Sequence, residues 1–353
     1  MHVITGLGVG GAEAQLGRLL LAGGRFAHGA SVVSLTAGGA WAGRLRAAGI
    51  PVVELGMARG RPNGAALAAL TRLVRVERPA VVQGWMYHAN VMATVALFLA
   101  ARRRSTRLIW GIRASDLDPA AYGRSFRVAL RLSAWLARVP DVVSANAQAA
   151  IAAHEAHGVR PRRWAVVPNG VDGGAFRPDA AARVAVRQDL GIPRDAPVVI
   201  HVARLDPMKD HATLFAALDR VAGVHTIIVG LGTETLEPRP TLYRLGLRDD
   251  VARLMAAADV FVSSSAYGEG FSNALAEAMA TGLVPVATDM GDARAIVGET
   301  GFVVPPRDPV ALARAIGAAL AEPVRGAAAR ARVLERFTIA AAAERFVAIQ
   351  DGA

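Results

Sequence analysis

Along the chain, short apolar runs rich in β-branched residues alternate with longer stretches in which alanine and leucine recur every three or four positions among arginines. The runs fall at residues 2–5, 31–35, 51–55, 80–83, 108–111, 141–144 and 164–167, and again at 198–202, 225–229, 259–263, 284–287 and 301–304. A run that is apolar at nearly every position suits a strand covered on both faces, and the stretches between have the period of helices. Strand and helix in regular alternation predict βαβ units and therefore parallel sheets. Two such series predict an α/β protein made of two Rossmann-like parallel-sheet domains facing a central cleft. The periodicity breaks over residues 168–197, where Asn169-Gly170, Gly173-Gly174 and Pro178 stand, so this segment reads as the hinge. The predicted domains are 1–172 and 173–335, with 336–353 a final helical stretch placed to return to the first domain.

Composition supports that division. At 353 residues the chain exceeds the ~250–300 residues at which a single core stops growing. An apolar fraction of 53% excludes a disordered chain. The longest apolar stretch, residues 91–101, stops at Arg102-Arg103-Arg104, short of the ~20 residues a membrane span needs. With no cysteine, disulfides, thiolate chemistry and cysteine-bound zinc are excluded. No basic start leads into an apolar stretch and a small-residue cleavage site, so a cytoplasmic protein is expected.

The net charge of +11 is unevenly placed. Residues 1–172 carry 21 arginines against eight acids, or +13, whereas residues 173–353 carry 19 cations against 21 acids, or −2. A general preference for arginine would load both halves alike. A one-sided field attracts anionic partners, for which nucleic acid, anionic lipid and a phosphorylated acceptor are candidates. Thirty-nine of the cations are arginines, and Lys209 is the single lysine.

Three motifs carry chemistry. Gly6-Leu7-Gly8-Val9-Gly10-Gly11 follows a predicted strand and opens a predicted helix, the arrangement that lets a phosphate or sugar approach bare backbone at a helix start. A nicotinamide dinucleotide would also need an acid about 20 residues on, and Ser34-Leu35-Thr36 offers none. Arg204 and Lys209 follow the strand at 198–202, so the rule for open α/β sheets turns both cations toward a ligand at the strand's carboxyl end. Arginine offers a planar fork for phosphate oxygens and lysine a compact ammonium. In the third motif a strand ending in Ser263-Ser264-Ser265 enters the turn Gly268-Glu269-Gly270-Phe271. A helix follows, capped at Ser272 or Asn273, ending near Thr281-Gly282 and carrying Glu277. Two glutamates eight apart suit two groups of one ligand, and the amides of Gly270, Phe271, Ser272 and Asn273 lie where an anion or sugar hydroxyls would meet a helix start.

At these residues the chain resembles the family-4 retaining glycosyltransferases of GT-B fold, which carry a Glu-x7-Glu signature, met here as Glu269 and Glu277. The resemblance extends to Gly6–Gly11 with Ala12-Glu13, to Pro168-Asn169-Gly170-Val171-Asp172, to Arg204 with Lys209, and to Thr288-Asp289-Met290-Gly291. It implies transfer of a sugar from a nucleotide sugar, with retention at the anomeric carbon and no metal or other cofactor. It also implies roles. Arg204 and Lys209 hold the diphosphate, Glu277 the ribose hydroxyls, Glu269 with the Gly270–Asn273 backbone the donor sugar, and Gly10-Gly11 approach from the other domain. The first domain then takes the acceptor, a saccharide or a lipid-linked one. Its charge suits peripheral contact with an anionic membrane at the cytoplasmic face, and no nucleic acid is expected.

The chain departs from its relatives in four places. Many have a histidine after the strand that here reads Leu108-Ile109-Trp110-Gly111, whereas Ile112-Arg113-Ala114-Ser115 follows it; His88, near another strand end, is the nearest substitute. Residues 231–240 hold two prolines where a helix is expected, only Met1 precedes the first strand, and Ala295 stands where an acid is common. The one Asp-x-Asp, Asp116-Leu117-Asp118, reads as a polar turn. Other readings stay open: an epimerase or phosphorylase of the same fold, a glycosidase using the two glutamates, and a nucleotide-sugar-binding module without catalysis.

Overall fold

A computed structural model describes residues 1–8, 10–58, 63–115 and 123–352. Its strands in chain order are β1 (His2–Ile4), β2 (Val32–Ser34), β3 (Val52–Glu54), β4 (Val81–Trp85), β5 (Arg107–Ile112), β6 (Val142–Ala145), β7 (Trp164–Val166), β8 (Val198–Val202), β9 (His225–Val229), β10 (Leu242–Arg244), β11 (Val260–Ser263), β12 (Val284–Thr288) and β13 (Phe302–Val304). The chain divides into two compact units, Met1–Gly170 with Ile339–Ala353, and Val171–Thr338.

In the first unit seven strands lie in the order β3-β2-β1-β4-β5-β6-β7, every neighbouring pair parallel. Successive side chains of β1 serve opposite layers. Val3 packs with Leu70, Val74, Ala93 and Leu97 of the helices Gly64–Glu77 and Tyr87–Leu99, while Ile4 packs with Leu16, Leu19, Trp41 and Leu45 on the other face. The terminal helix Ile339–Asp351 completes that second layer through Phe346, whose ring lies 5.3 Å from Phe26 and 5.5 Å from Trp85. Chain order reverses beside β1, between β2 and β4, the switch point at which such sheets open toward ligands.

The second unit is a six-stranded parallel sheet, β10-β9-β8-β11-β12-β13, whose order reverses beside β8. Val199, Ile228, Val260, Val262 and Val286 face Leu214 of the helix His211–Leu218 and Leu312 and Ile316 of the helix Pro309–Ala321.

One strand escapes the apolar runs and one segment is corrected. Residues 231–240 hold two prolines and only the 3₁₀ turn Thr233–Thr235 where a helix would be expected, and β10 follows, pairing in parallel with β9, Leu242 opposite Thr226. A three-residue half-buried edge strand with one aliphatic side chain leaves no apolar run to read. The predicted hinge, 168–197, contains the helix Ala180–Asp189, capped by Asp179 accepting from the Ala182 amide at 2.9 Å. Arg183 and Arg187 of this helix reach the two carboxylate oxygens of Asp259 at 2.6 and 3.0 Å, and Asp259 also accepts from the Val198 amide, so most of the segment belongs to the second unit. Asp116-Leu117-Asp118 lies outside the described residues. Among those described, no helix is long and apolar enough to cross a membrane.

Candidate active site

In the second unit, three elements meet at the carboxyl ends of β8, β11 and β12. After β8 the chain passes Arg204 and forms the 3₁₀ turn Pro207–Lys209, started by Asp206 accepting from the Met208 amide at 3.0 Å. Asp210, at φ 47°, ends that turn and caps the next helix, accepting from the Thr213 amide at 3.1 Å. The turn is tied to the end of β11. The Ser264 hydroxyl donates to the Lys209 carbonyl at 2.7 Å and the Ala266 amide to the Met208 carbonyl at 2.8 Å.

That tie points the Lys209 side chain at Glu269. The ammonium donates to Glu269 Oε1, and the Ser265 hydroxyl donates to the same oxygen at 2.7 Å. Ser265 is fixed in turn by its carbonyl, which accepts from the Thr288 hydroxyl at 2.7 Å. Both contacts on Glu269 use one oxygen, so Oε2 remains for another partner. Behind it, the Asp292 amide donates to the Gly270 carbonyl at 3.0 Å. Gly291, at φ 60°, lies so close that a Cβ there would collide with the carbonyls of Glu269 and Gly270. Bare backbone at 291 is thus what lets the loop after β12 hold the Glu269 turn in place.

The helix Asn273–Thr281 begins with Ser272 at its cap and ends at Gly282 in the left-handed conformation, as its sequence predicts. Glu277, one turn inside, is only 8% exposed, so its carboxylate is not a freely solvated surface group. Glu269 precedes the positive end of this helix dipole by three residues, with Gly270 and Phe271 between it and the Ser272 cap.

Three predicted contributors have side-chain partners within the chain. Arg204 is exposed after β8, and its guanidinium pairs with Asp206 at 2.7 Å and meets Met208 Sδ at 3.3 Å, because Asp206 sits two residues on in the same turn. The Phe271 ring is buried against Phe337 at 5.4 Å, which leaves only its main chain for a ligand. Ser272 caps its own helix, the Leu275 amide lying 3.5 Å from its hydroxyl. Sequence reasoning gave Ser265, Asp206 and Thr288 no role. Their hydroxyls and carboxylate act through turn geometry, which residue order alone does not disclose.

Two buried histidines sit behind the Lys209 turn. His201, in β8, has Nδ1 2.8 Å from the Val262 carbonyl, which can only accept, so Nδ1 carries the proton. Its ring meets that of His211 edge to face at 4.9 Å. Burial, with the neighbouring His211 second, pushes the His201 pKa down to about 3.

In the first unit, Gly10 precedes the helix Gly11–Leu21 and its carbonyl accepts from the Ala14 amide at 2.9 Å. Glu13 of the first turn lies against the Gly10 backbone, its carboxylate where a Cβ would stand. His88 lies in the first turn of the helix Tyr87–Leu99, just past β4, with Nε2 buried and unpartnered. Burial lowers its pKa. Arg113 follows β5, its Nη1 donating to the Val167 carbonyl at 2.6 Å and its guanidinium 4.8 Å from the Phe346 ring.

Residues 10–170 match the family description "Glycosyl transferase 4-like domain", and residues 196–322 match "Glycosyl transferases group 1". Over 195 residues the chain is 34% identical to a D-inositol 3-phosphate glycosyltransferase of Xylanimonas cellulosilytica, covering 48% of this chain and 46% of that protein. Over 168 residues it is 35% identical to a phosphatidyl-myo-inositol mannosyltransferase of Mycobacterium tuberculosis, covering 41% of this chain and 43% of that one. The chain thus spans about half the length of the curated relatives it matches. Among solved structures, Anabaena HepE in complex with UDP is alike with a TM-score of 0.83 at 24% identity, over 100% of this chain and 99% of that one. WaaG, a glycosyltransferase involved in lipopolysaccharide biosynthesis, is alike with a TM-score of 0.71 at 16% identity, over 100% of both chains. Two parallel sheets with their order reversals, a matched domain in each half and this likeness over the full length together show that the chain belongs to the family-4 glycosyltransferases of GT-B fold.

Proposed function

We propose that the protein transfers a sugar from a nucleotide-sugar donor to a saccharide or lipid-linked acceptor, with retention at the anomeric carbon and without a metal. The observation that carries this reading is the arrangement of Lys209, Ser265 and Glu269 at the start of the helix that holds Glu277. As the bond from the anomeric carbon to the diphosphate breaks, the leaving oxygen gains negative charge, and Lys209, Arg204 and the helix start would meet it. The free Oε2 of Glu269 would accept from a sugar hydroxyl, and Glu277 would hold the ribose. The acceptor oxygen would bond to the anomeric carbon on the face the diphosphate leaves, its proton passing to a phosphate oxygen. No side-chain nucleophile is then required. Gly10, Gly11 and His88, at the carboxyl end of the first sheet, would serve the same reaction.

HepE in complex with UDP-glucose supports a uridine diphosphate sugar as the first donor to try, and the inositol-directed names of the relatives support polyol acceptors. The test is a thermal-shift screen of UDP-, GDP- and ADP-sugars. A donor at 100 times its dissociation constant adds about 2.7 kcal/mol of stability. The stabilising donor is then followed for release of nucleoside diphosphate with and without chelator. Glu269→Gln should lower kcat/KM by about 100-fold or more while the protein still melts as a folded chain. Unchanged turnover in that variant would remove Glu269 from the reaction. Conversion of the donor to an isomeric nucleotide sugar without any acceptor, and without net release of nucleoside diphosphate, would favour an epimerase.

A further inference from the structure

The helix Arg124–Leu136, which contains no acidic residue, buries Ala129, Leu130 and Ser133 and turns Arg124, Arg127, Val128, Arg131, Leu132 and Trp135 outward. Trp135 is 80% exposed, Val128 54% and Leu132 38%. At 100° per residue these outward positions fall within an arc of about 140°, with the arginines along one side and the three apolar side chains along the other. Arg138, just past the helix, is also exposed. Among the described residues none of these four arginines takes part in an ion pair. An indole exposed to this degree beside unpaired guanidinium groups is costly to leave in water and has no structural task within the chain.

We infer that this helix face docks on an anionic lipid bilayer, Trp135, Val128 and Leu132 entering the headgroup boundary while Arg124, Arg127, Arg131 and Arg138 reach lipid phosphates. Charge complementarity selects this occupant. A second copy of the chain would set arginine against arginine, and a neutral protein would leave four cations unpaired. Arginines on one side of the exposed arc and apolar side chains on the other make the arrangement of a helix lying in a membrane interface. The +13 charge of residues 1–172 supplies the longer-range attraction. This inference stands apart from the assignment of the transfer reaction.

The test uses the whole protein with phosphatidylcholine vesicles prepared with and without phosphatidylglycerol, read by co-sedimentation and tryptophan emission. Binding is expected only with phosphatidylglycerol, with a blue shift of emission, and should weaken at high salt. Trp135→Ser should abolish the blue shift. The double substitution Arg127→Gln and Arg131→Gln should weaken binding about 30-fold, roughly five-fold per cation. Both variants change exposed side chains and should melt with the wild type. Glu269→Gln should bind vesicles normally, so loss of turnover and loss of docking are separate results. Equal binding by the double variant, or an unshifted emission with heparin or duplex DNA bound more tightly than vesicles, would overturn the inference.

Discussion

Lys209 and Glu269 share one contact, so the charge of each is set against the other before any ligand arrives. An anionic diphosphate would draw the ammonium away and release the carboxylate toward a hydroxyl, linking donor capture to readiness of Glu269. Lys209→Arg tests why the sole lysine stands here: the wider planar fork cannot make the same point contact with the Glu269 oxygen that Ser265 also uses, and donor turnover should fall about 10-fold or more. Wild-type kinetics in that variant would show that any cation suffices. His201 gives a second prediction. In the unfolded chain its pKa is about 6.5, whereas in the folded protein burial holds it at about 3. Between those values only the unfolded chain takes up the proton, so the contribution to stability is full above pH 6.5 and is lost as pH falls through that window. Urea midpoints at successive pH values should show a slope reduced by up to about 1.4 kcal/mol per pH unit in His201→Asn. The glutamates were legible because glycines bracket one of them and a helix carries the other. Ser265 was not, since its partner is fixed only once the turn closes.

Among the elements, the helix Asn273–Thr281 was readable to within a residue, because Ser272 and Gly282 mark its two ends chemically. Ser272→Ala should cost about 1 kcal/mol and lower the melting temperature of this unit by roughly 2–4 °C, measurable by calorimetry. An unchanged midpoint would mean that the long 3.5 Å cap contact adds nothing. The strand β10 and the helix Ala180–Asp189 escaped notice for opposite reasons. The strand is too short for a period to register, and glycines and a proline just ahead of the helix masked its start. Its place is set by Asp259, which comes seventy residues later and joins Arg183 to Arg187. Sequence separation hides such a clamp even when each residue is plain to see.

For the whole molecule, the alternation of strand and helix announced two parallel sheets and the charge count told them apart. Which unit would own the chain's end was a matter of packing. Phe346 fills the layer lined by Phe26 and Trp85, Arg107 donates to the Ile349 carbonyl at 2.8 Å, and Gln350 donates to Gln83 at 3.0 Å. Phe346→Ala should cost about 3–5 kcal/mol, and chemical unfolding should show the loss in the first unit while donor-induced stabilisation of the second persists. A uniform loss across both transitions would show that the helix serves both units.

This placement of the terminal helix has a consequence for biosynthesis. The first unit lacks part of its core until residues 339–351 leave the ribosome, after the whole second unit has been made. At about 5–20 residues per second that is a delay of roughly 10–35 s, during which the pocket around Phe26 and Trp85 stays uncovered. The half translated first is therefore completed last, and a ribosome stalled between the units would hold a nascent chain that chaperones can still recognise.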